Sequence, residues 1–215
     1  LLPTEDEISE YIRIWENYCN SGHTITKFVP ASGAASRMFK DLFGFLDADY
    51  STPASDFEKK FFESIENFAF YNDLNAVCLK NEGKDIAALV ADENYKAVVA
   101  NLLNKSGLNY GSSPKGVLKF HKYDNNARTP LEEHMAEGAL YACGSDSTVH
   151  LHFTVSPEHR SLFTTLADNS QEDLANKYEE FRKIGCEIYS VSTDTHFVHK
   201  AWHDTSERIR KINYP

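Results

Sequence analysis

The chain has 215 residues, is 41% hydrophobic and 13% aromatic, and carries a formal net charge of −10 with a pI of about 5.3. That length suits one domain, or one and a fraction, with a sizeable core. The acidity argues against a nucleic-acid partner, but it leaves room for a small anion held by a local loop and one or two cations.

From the N-terminus, Thr4 to Tyr18 reads as a helix. Thr4 is its N-cap, Glu7 completes a capping box, and Ile8, Tyr11, Ile12 and Trp15 form an apolar stripe. Asn20-Ser-Gly22 breaks it. Thr26 to Pro30 is a strand candidate, and Ser36 to Leu46 a helix with Met38, Phe39, Leu42, Phe43 and Leu46 at helical spacing. Asp56 to Tyr71 follows as a helix whose aromatic face holds Phe57, Phe61, Phe62 and Phe68, better suited to a core than to base stacking. Asp85 to Asn104 holds one or two helices, Asn109 to Ser113 is a loop, and Gly116 to His121 is strand-like. Pro130 to Ala142 begins with proline in its first turn and acids close behind, as the helix dipole favours. Val149 to Val155 reads as a strand, Pro157–Leu166 and Glu172–Ile184 as helices, Cys186–Ser192 as a strand and Thr195–Ile212 as a last helix. Strands alternating with helices predict an α/β fold with an open, mostly parallel sheet and helical crossovers. The aromatic helices would be an insertion after the first βα unit.

The strand-loop-helix around residues 27–46 carries the clearest chemical signal. Small residues Ala31, Ser32, Gly33, Ala34, Ala35 and Ser36 let the backbone approach a phosphate, and Arg37 adds a guanidinium. The plain alternative is a tight βα turn that binds nothing. A second segment, Ser113-Pro-Lys-Gly-Val-Leu118, precedes Arg128-Thr-Pro-Leu-Glu-Glu-His134. This order resembles sugar nucleotidyltransferases, in which a Gly-rich, Arg-containing loop is followed by a Pro-Lys segment and then a Thr/Pro-Leu-Glu helix start. The resemblance implies Arg37 and Lys115 as catalytic residues, residues 31–36 as the nucleotide-binding loop, Mg²⁺ on the phosphates, and a nucleotide or nucleotide sugar as ligand. The runs Lys27–Lys40, Pro114–Tyr123 and His152–His159 also resemble an uncharacterised bacterial family labelled a domain of unknown function, over about residues 4–168. The loop departs from the enzyme pattern in having alanine at 34 and 35, and the gap to Pro114-Lys115 is longer.

The tail resembles something else. Glu172 to His203, and on to Pro215, is similar to alkyl hydroperoxide reductase C, a two-cysteine peroxiredoxin. Counting back from Glu172, the peroxidatic cysteine position falls on Ala167, with Thr164 in the threonine position and Arg160 where proline is expected. The resemblances divide the chain into residues 1–168 and 169–215, the second segment completing the same sheet. They leave three functional readings: nucleotidyl transfer, an inactive redox fragment, and a non-catalytic binding or scaffold protein.

The remaining polar clusters have bland readings beside sharper ones. His150 and His152 share a strand face, with His159 nearby; metal ligation is weighed against a polar strand face. His196, His199 and His203 share a helix face and read as structural. Glu132, Glu133 and Glu137 read as dipole partners and solvated charge before acid/base groups. No metal-ligating set is assigned. Cys19, Cys78, Cys143 and Cys186 share no C-x-x-C spacing and read as reduced thiols of a cytoplasmic protein. No apolar run reaches the ~18 residues of a membrane span, so no membrane partner is expected.

Overall fold

The computed structural model describes residues 2–31, 33–124, 126–145 and 148–176. The expected strand Cys186–Ser192, the helix Thr195–Ile212 with His196, His199 and His203, the end of Glu172–Ile184, and Ser32 of the loop lie outside the described residues. Within them the chain is mixed helix and sheet, with a small parallel sheet.

The elements in order are α1 (Glu5–Cys19), β1 (Thr26–Pro30), a 3₁₀ turn (Ser36–Phe39) running into α2 (Lys40–Asp47), α3 (Asp56–Glu63), a 3₁₀ turn (Ile65–Asn67), α4 (Tyr71–Glu82), α5 (Ile86–Ala91), α6 (Tyr95–Leu103), a 3₁₀ turn (Lys115–Val117), β2 (His121–Lys122), β3 (Ala127–Arg128), α7 (Pro130–Tyr141), β4 (His150–Thr154), and a 3₁₀ turn (Pro157–His159) leading into α8 (Arg160–Asn176). β1 pairs with β4, and β2 with β3. The chain divides into two units: one holds Leu1–Val29, Glu132–Thr154 and α8 from Thr164, the other Pro30–Leu131 and Val155–Phe163.

The second unit is a helical cluster around α6, which packs on α2, α4 and α5. Val98, Val99, Leu102 and Leu103 of α6 meet Leu42 and Phe45 of α2, Leu74 and Cys78 of α4, and Ile86 and Leu89 of α5 in one buried core. Polar groups within it are paired. Asn101 is 3% exposed, yet its amide donates to Glu82 Oε1 and the Ala97 carbonyl (2.9 Å each) and accepts from Asn81 (2.6 Å). Glu58 is buried as well, and its carboxylate takes Ala54 N–H (2.7 Å), Ser55 N–H (3.0 Å) and Tyr50 O–H (3.0 Å). Burial pushes the Glu58 pKa up, but these hydrogen bonds outweigh it and the net direction is down. Gly107 permits a close approach here: a Cβ on it would stand 1.9 Å from the Asn101 carbonyl oxygen.

In the first unit, α7 covers one face of the β1–β4 pair. Gly138 makes this possible, since a Cβ there would stand 2.8 Å from both Leu151 and Val149. On the opposite face Phe28 and His152 stack with ring centroids 5.2 Å apart. The α1 capping box forms as the sequence predicts, with Thr4 Oγ1 accepting from Glu7 N–H and Glu7 accepting from Thr4 N–H. Trp15 Nε1 donates to the Tyr141 carbonyl (2.8 Å), yet no residue of α1 is buried.

Several boundaries differ from expectation. The helix expected from Ser36 begins as a single 3₁₀ turn and becomes α-helical only at Lys40. Asp56–Tyr71 breaks at Ser64, whose hydroxyl bonds back to the Lys60 carbonyl (2.6 Å), and α4 has no counterpart among the expected elements. Gly116–His121 is a 3₁₀ turn followed by an antiparallel hairpin, with His121 opposite Arg128 and Lys122 opposite Ala127. A Cβ at Gly116 would stand 2.5 Å from the Phe163 ring. Of the aromatic face, Phe61 is buried, Phe62 and Phe68 pack against the core, and Phe57 is 43% exposed.

Candidate functional site

The small-residue loop is anchored by backbone pairing to the Pro-Lys segment. Ala34 lies opposite Pro114 in an antiparallel bridge. Lys115 N–H donates to the Gly33 carbonyl (3.0 Å), and Ala35 N–H donates to the Ser113 carbonyl (3.2 Å). The two segments, about eighty residues apart in the chain, thus adjoin. Ser113 is buried and its hydroxyl donates to the Asn109 carbonyl (2.8 Å), which ties the partner segment to the preceding loop.

The described residues of the loop each have a definite setting. Ala31 is half-buried; Gly33, Ala34, Ser36 and Arg37 are exposed, as is Lys115. Ala35 is fully buried. Its N–H is spent on Ser113, so it fixes the loop rather than offering a donor to a ligand. Because only one 3₁₀ turn follows, the aligned dipole of a long helix does not stand directly behind the loop. What the loop offers instead is exposed small-residue backbone beside two cationic side chains. Among the described residues no group of three or more His, Cys, Asp or Glu side chains is placed to hold a metal ion.

A second polar cluster lies in the other unit, and its centre reads in the sequence as solvated charge. Glu137 on α7 accepts from the Lys27 ammonium of β1, lies 3.0 Å from His134 Nδ1, and takes the Tyr141 hydroxyl at 3.2 Å. Lys27 also donates to Tyr141 Oη (2.5 Å), and its ammonium lies 4.7 Å from that ring's centroid. Hydrogen bonds from Lys27, then from His134, hold the Glu137 carboxyl well below the usual range, at about 2. Burial pulls the Lys27 pKa down, but its bonds to Glu137 and Tyr141 more than compensate and the net direction is up. His134, Glu137 and Tyr141 at i, i+3 and i+7 are visible in sequence as one helix face. Lys27 is not, because it arrives from a strand 110 residues away.

The three described histidines weighed for metal have different surroundings. His152 stacks on Phe28, His150 Nε2 lies 3.3 Å from Thr148 Oγ1, and His159 Nδ1 is buried without a hydrogen-bond partner among the described residues. Cys19, Cys78 and Cys143 form no disulfide among the described residues, and burial pushes the Cys78 thiol up to about 11. Ala167, at the position aligned with a peroxidatic cysteine, lies within α8. No described helix is long and apolar enough to cross a membrane.

Comparison with known proteins agrees with the resemblances to a domain of unknown function and to alkyl hydroperoxide reductase C, and does not test the one to sugar nucleotidyltransferases. A stretch of 52 residues is 58% identical to alkyl hydroperoxide reductase C of Staphylococcus aureus, in strains Mu50 and COL among others, and covers 24% of this chain. The chain spans only 28% of the length of those relatives. No solved structure matches. The family model of a domain of unknown function, DUF4301, matches residues 2–208, and the chain belongs to that family.

Proposed function

We propose that the unit containing the 31–37 loop binds a nucleoside triphosphate and transfers its nucleotidyl group to a sugar phosphate. The observation that carries this reading is the backbone pairing of Gly33 and Ala35 with Lys115 and Ser113, which sets the Arg37 and Lys115 segments side by side. In the reaction, an oxygen of the acceptor phosphate attacks the α-phosphorus. A new P–O bond forms, the bond from the α-phosphorus to the bridging oxygen breaks, and pyrophosphate leaves with that electron pair. Arg37 would hold the triphosphate through its fork of N–H donors, and Lys115 would stabilise the charge that builds at the α-phosphate. No nucleophilic side chain is needed. Mg²⁺ bound with the nucleotide would supply charge neutralisation at the phosphates; among the described residues no group of three or more His, Cys, Asp or Glu side chains is placed to hold it.

The test is thermal unfolding of the full chain with ATP, CTP, GTP and UTP, each with MgCl₂. At least one is expected to raise the midpoint, and Arg37→Ala or Lys115→Ala should remove most of that rise. No stabilisation by any nucleotide would sink the reading. Stabilisation that survives both substitutions would favour the non-catalytic binding reading.

A further inference from the structure

We propose that the exposed face of α1 is a docking surface for a basic amphipathic helix of another protein. The proposal is independent of the nucleotide reading and uses none of its residues. The first observation is apolar surface that the fold leaves uncovered. Ile8, Tyr11, Ile12 and Trp15 stand at the i, i+3, i+4 and i+7 spacing of a helix anchor face, and Tyr18 continues it. At 3.6 residues per turn they share an arc of about 120°, the width with which a helix ordinarily packs on a core. Yet these five side chains are between 41% and 61% exposed, and no residue of α1 is buried. Contiguous apolar surface of this kind marks a place where another molecule sits.

The second observation is that the aromatic part of this face is ordered without being covered. Trp15 and Tyr18 stack with ring centroids 6.0 Å apart, and Tyr18 stacks on the exposed His23 at 4.2 Å. Trp15 Nε1 donates to the Tyr141 carbonyl (2.8 Å), which fixes the indole by its edge. A held ring loses little freedom when a partner packs on it, and its exposed surface suits a guanidinium or ammonium as well as an apolar group.

The charged rim selects the partner. Helical spacing puts Glu5 and Glu16 along one edge of the stripe and Glu7 along the other. α1 carries five carboxylates against one guanidinium, and that cation, Arg13, is already paired with Glu10 (2.7 Å) on the far face. Among the described residues no cation pairs with Glu5, Glu7 or Glu16. A second copy of α1 would bring like charges together, and anionic lipid headgroups would be repelled. A helix with apolar residues along one face and Lys or Arg on both flanks meets both parts at once. Its apolar face covers the stripe, and its cations reach the carboxylate rim. One helix face is a small interface, so the association is transient.

The experiment is an amide chemical-shift titration of the full chain with a synthetic helical peptide bearing leucines on one face and lysines on the other. The same peptide with each lysine replaced by glutamate runs in parallel. The lysine peptide is expected to shift amides of residues 5–19, and the glutamate peptide to bind about tenfold more weakly or worse. Ile12→Glu should weaken the lysine peptide by about tenfold or more. That substitution adds a negative charge, so an association driven only by the acidity of the chain would tighten instead. Tyr11→Ser, at a more exposed position, should act in the same direction as Ile12→Glu. Three results overturn the proposal: no shifts in residues 5–19, equal binding of the two peptides, or binding that neither variant weakens. Sedimentation supplies two more. A dimer that Ile12→Glu dissociates would assign the face to a second copy, and binding to phosphatidylcholine vesicles that Ile12→Glu abolishes would assign it to a membrane.

Discussion

Removing the charge at Glu137 tests whether the Lys27–Glu137–Tyr141 cluster holds the first unit together. The perturbation is Glu137→Gln, which keeps the shape and deletes the charge. The carboxyl is held at about 2 against an ordinary 4.5. At 1.36 kcal/mol per pKa unit, that difference alone would correspond to about 3.4 kcal/mol. The Glu137 side chain is 43% exposed, however, and water screens such a pair. The pair therefore contributes about 1 kcal/mol. The variant also leaves the Lys27 ammonium, whose side chain is only 11% exposed, with a neutral amide and the Tyr141 hydroxyl. The combined loss expected near neutral pH is about 1–2 kcal/mol. Because the folded-state pKa is depressed, the ionic part is fully present above about pH 4.5 and fades as pH falls toward 2. Urea unfolding followed by circular dichroism, on both proteins at about pH 7, 5 and 3, reads this directly. The stability gap should stay constant from pH 7 to 5 and narrow by pH 3. A gap that does not narrow would refute the ionic account, and no gap near neutral pH would refute the pairing itself.

Three further outcomes are expected. Gly107→Ala should cost about 1–3 kcal/mol in urea unfolding, since its Cβ would meet the Asn101 carbonyl at 1.9 Å; a neutral result would mean that the 104–111 turn relaxes freely. Asn101→Leu should destabilise by a similar ~1–3 kcal/mol, because Asn81 and Glu82 lose their buried partner, and a stabilised variant would contradict that. With dithiothreitol as reductant, the protein should not consume peroxide catalytically, because Ala167 stands where the aligned peroxidatic cysteine would be. Multiple turnovers would overturn that alignment.

The parts of the fold legible in sequence are those fixed by local chemistry. The Thr4–Glu7 capping box, β1, β4 and α7 have strong local signatures, and each stands within a residue or so of its expected bounds. α4 is hidden in the sequence because its buried residues, Leu74 and Cys78, sit among Asn72, Asp73, Asn75 and Asn81, which favour turns and caps. Two of those polar residues act structurally at long range. Asn75 Oδ1 accepts the Ile86 N–H that opens α5 (2.9 Å), and Asn81 pairs with Asn101. Periodicity cannot reveal such pairings. The α1 stripe shows the opposite failure: Ile8, Tyr11, Ile12 and Trp15 have the spacing of a buried face, yet each is more than 40% exposed.

The same division between local and long-range chemistry runs through the candidate site. Arg37 and the small residues before it can be read from one segment, and Lys115 from another. What joins them is a pair of backbone hydrogen bonds, which leave no trace in side-chain identity. That pairing changes the physical basis of the loop. A phosphate site of the familiar kind relies on free N–H groups at the start of a long helix. Here the Ala35 N–H is already bonded, and one 3₁₀ turn intervenes before α2. If the loop takes a phosphate as proposed, the two side-chain cations, which are exposed and work against a net charge of −10, would supply much of its affinity. A site built that way should weaken steeply with salt, since screening acts fully on exposed charges. One built on buried amides would be far less sensitive. The salt dependence of nucleotide binding therefore distinguishes a loop that cradles phosphate with its backbone from one that positions Arg37 and Lys115 to do so.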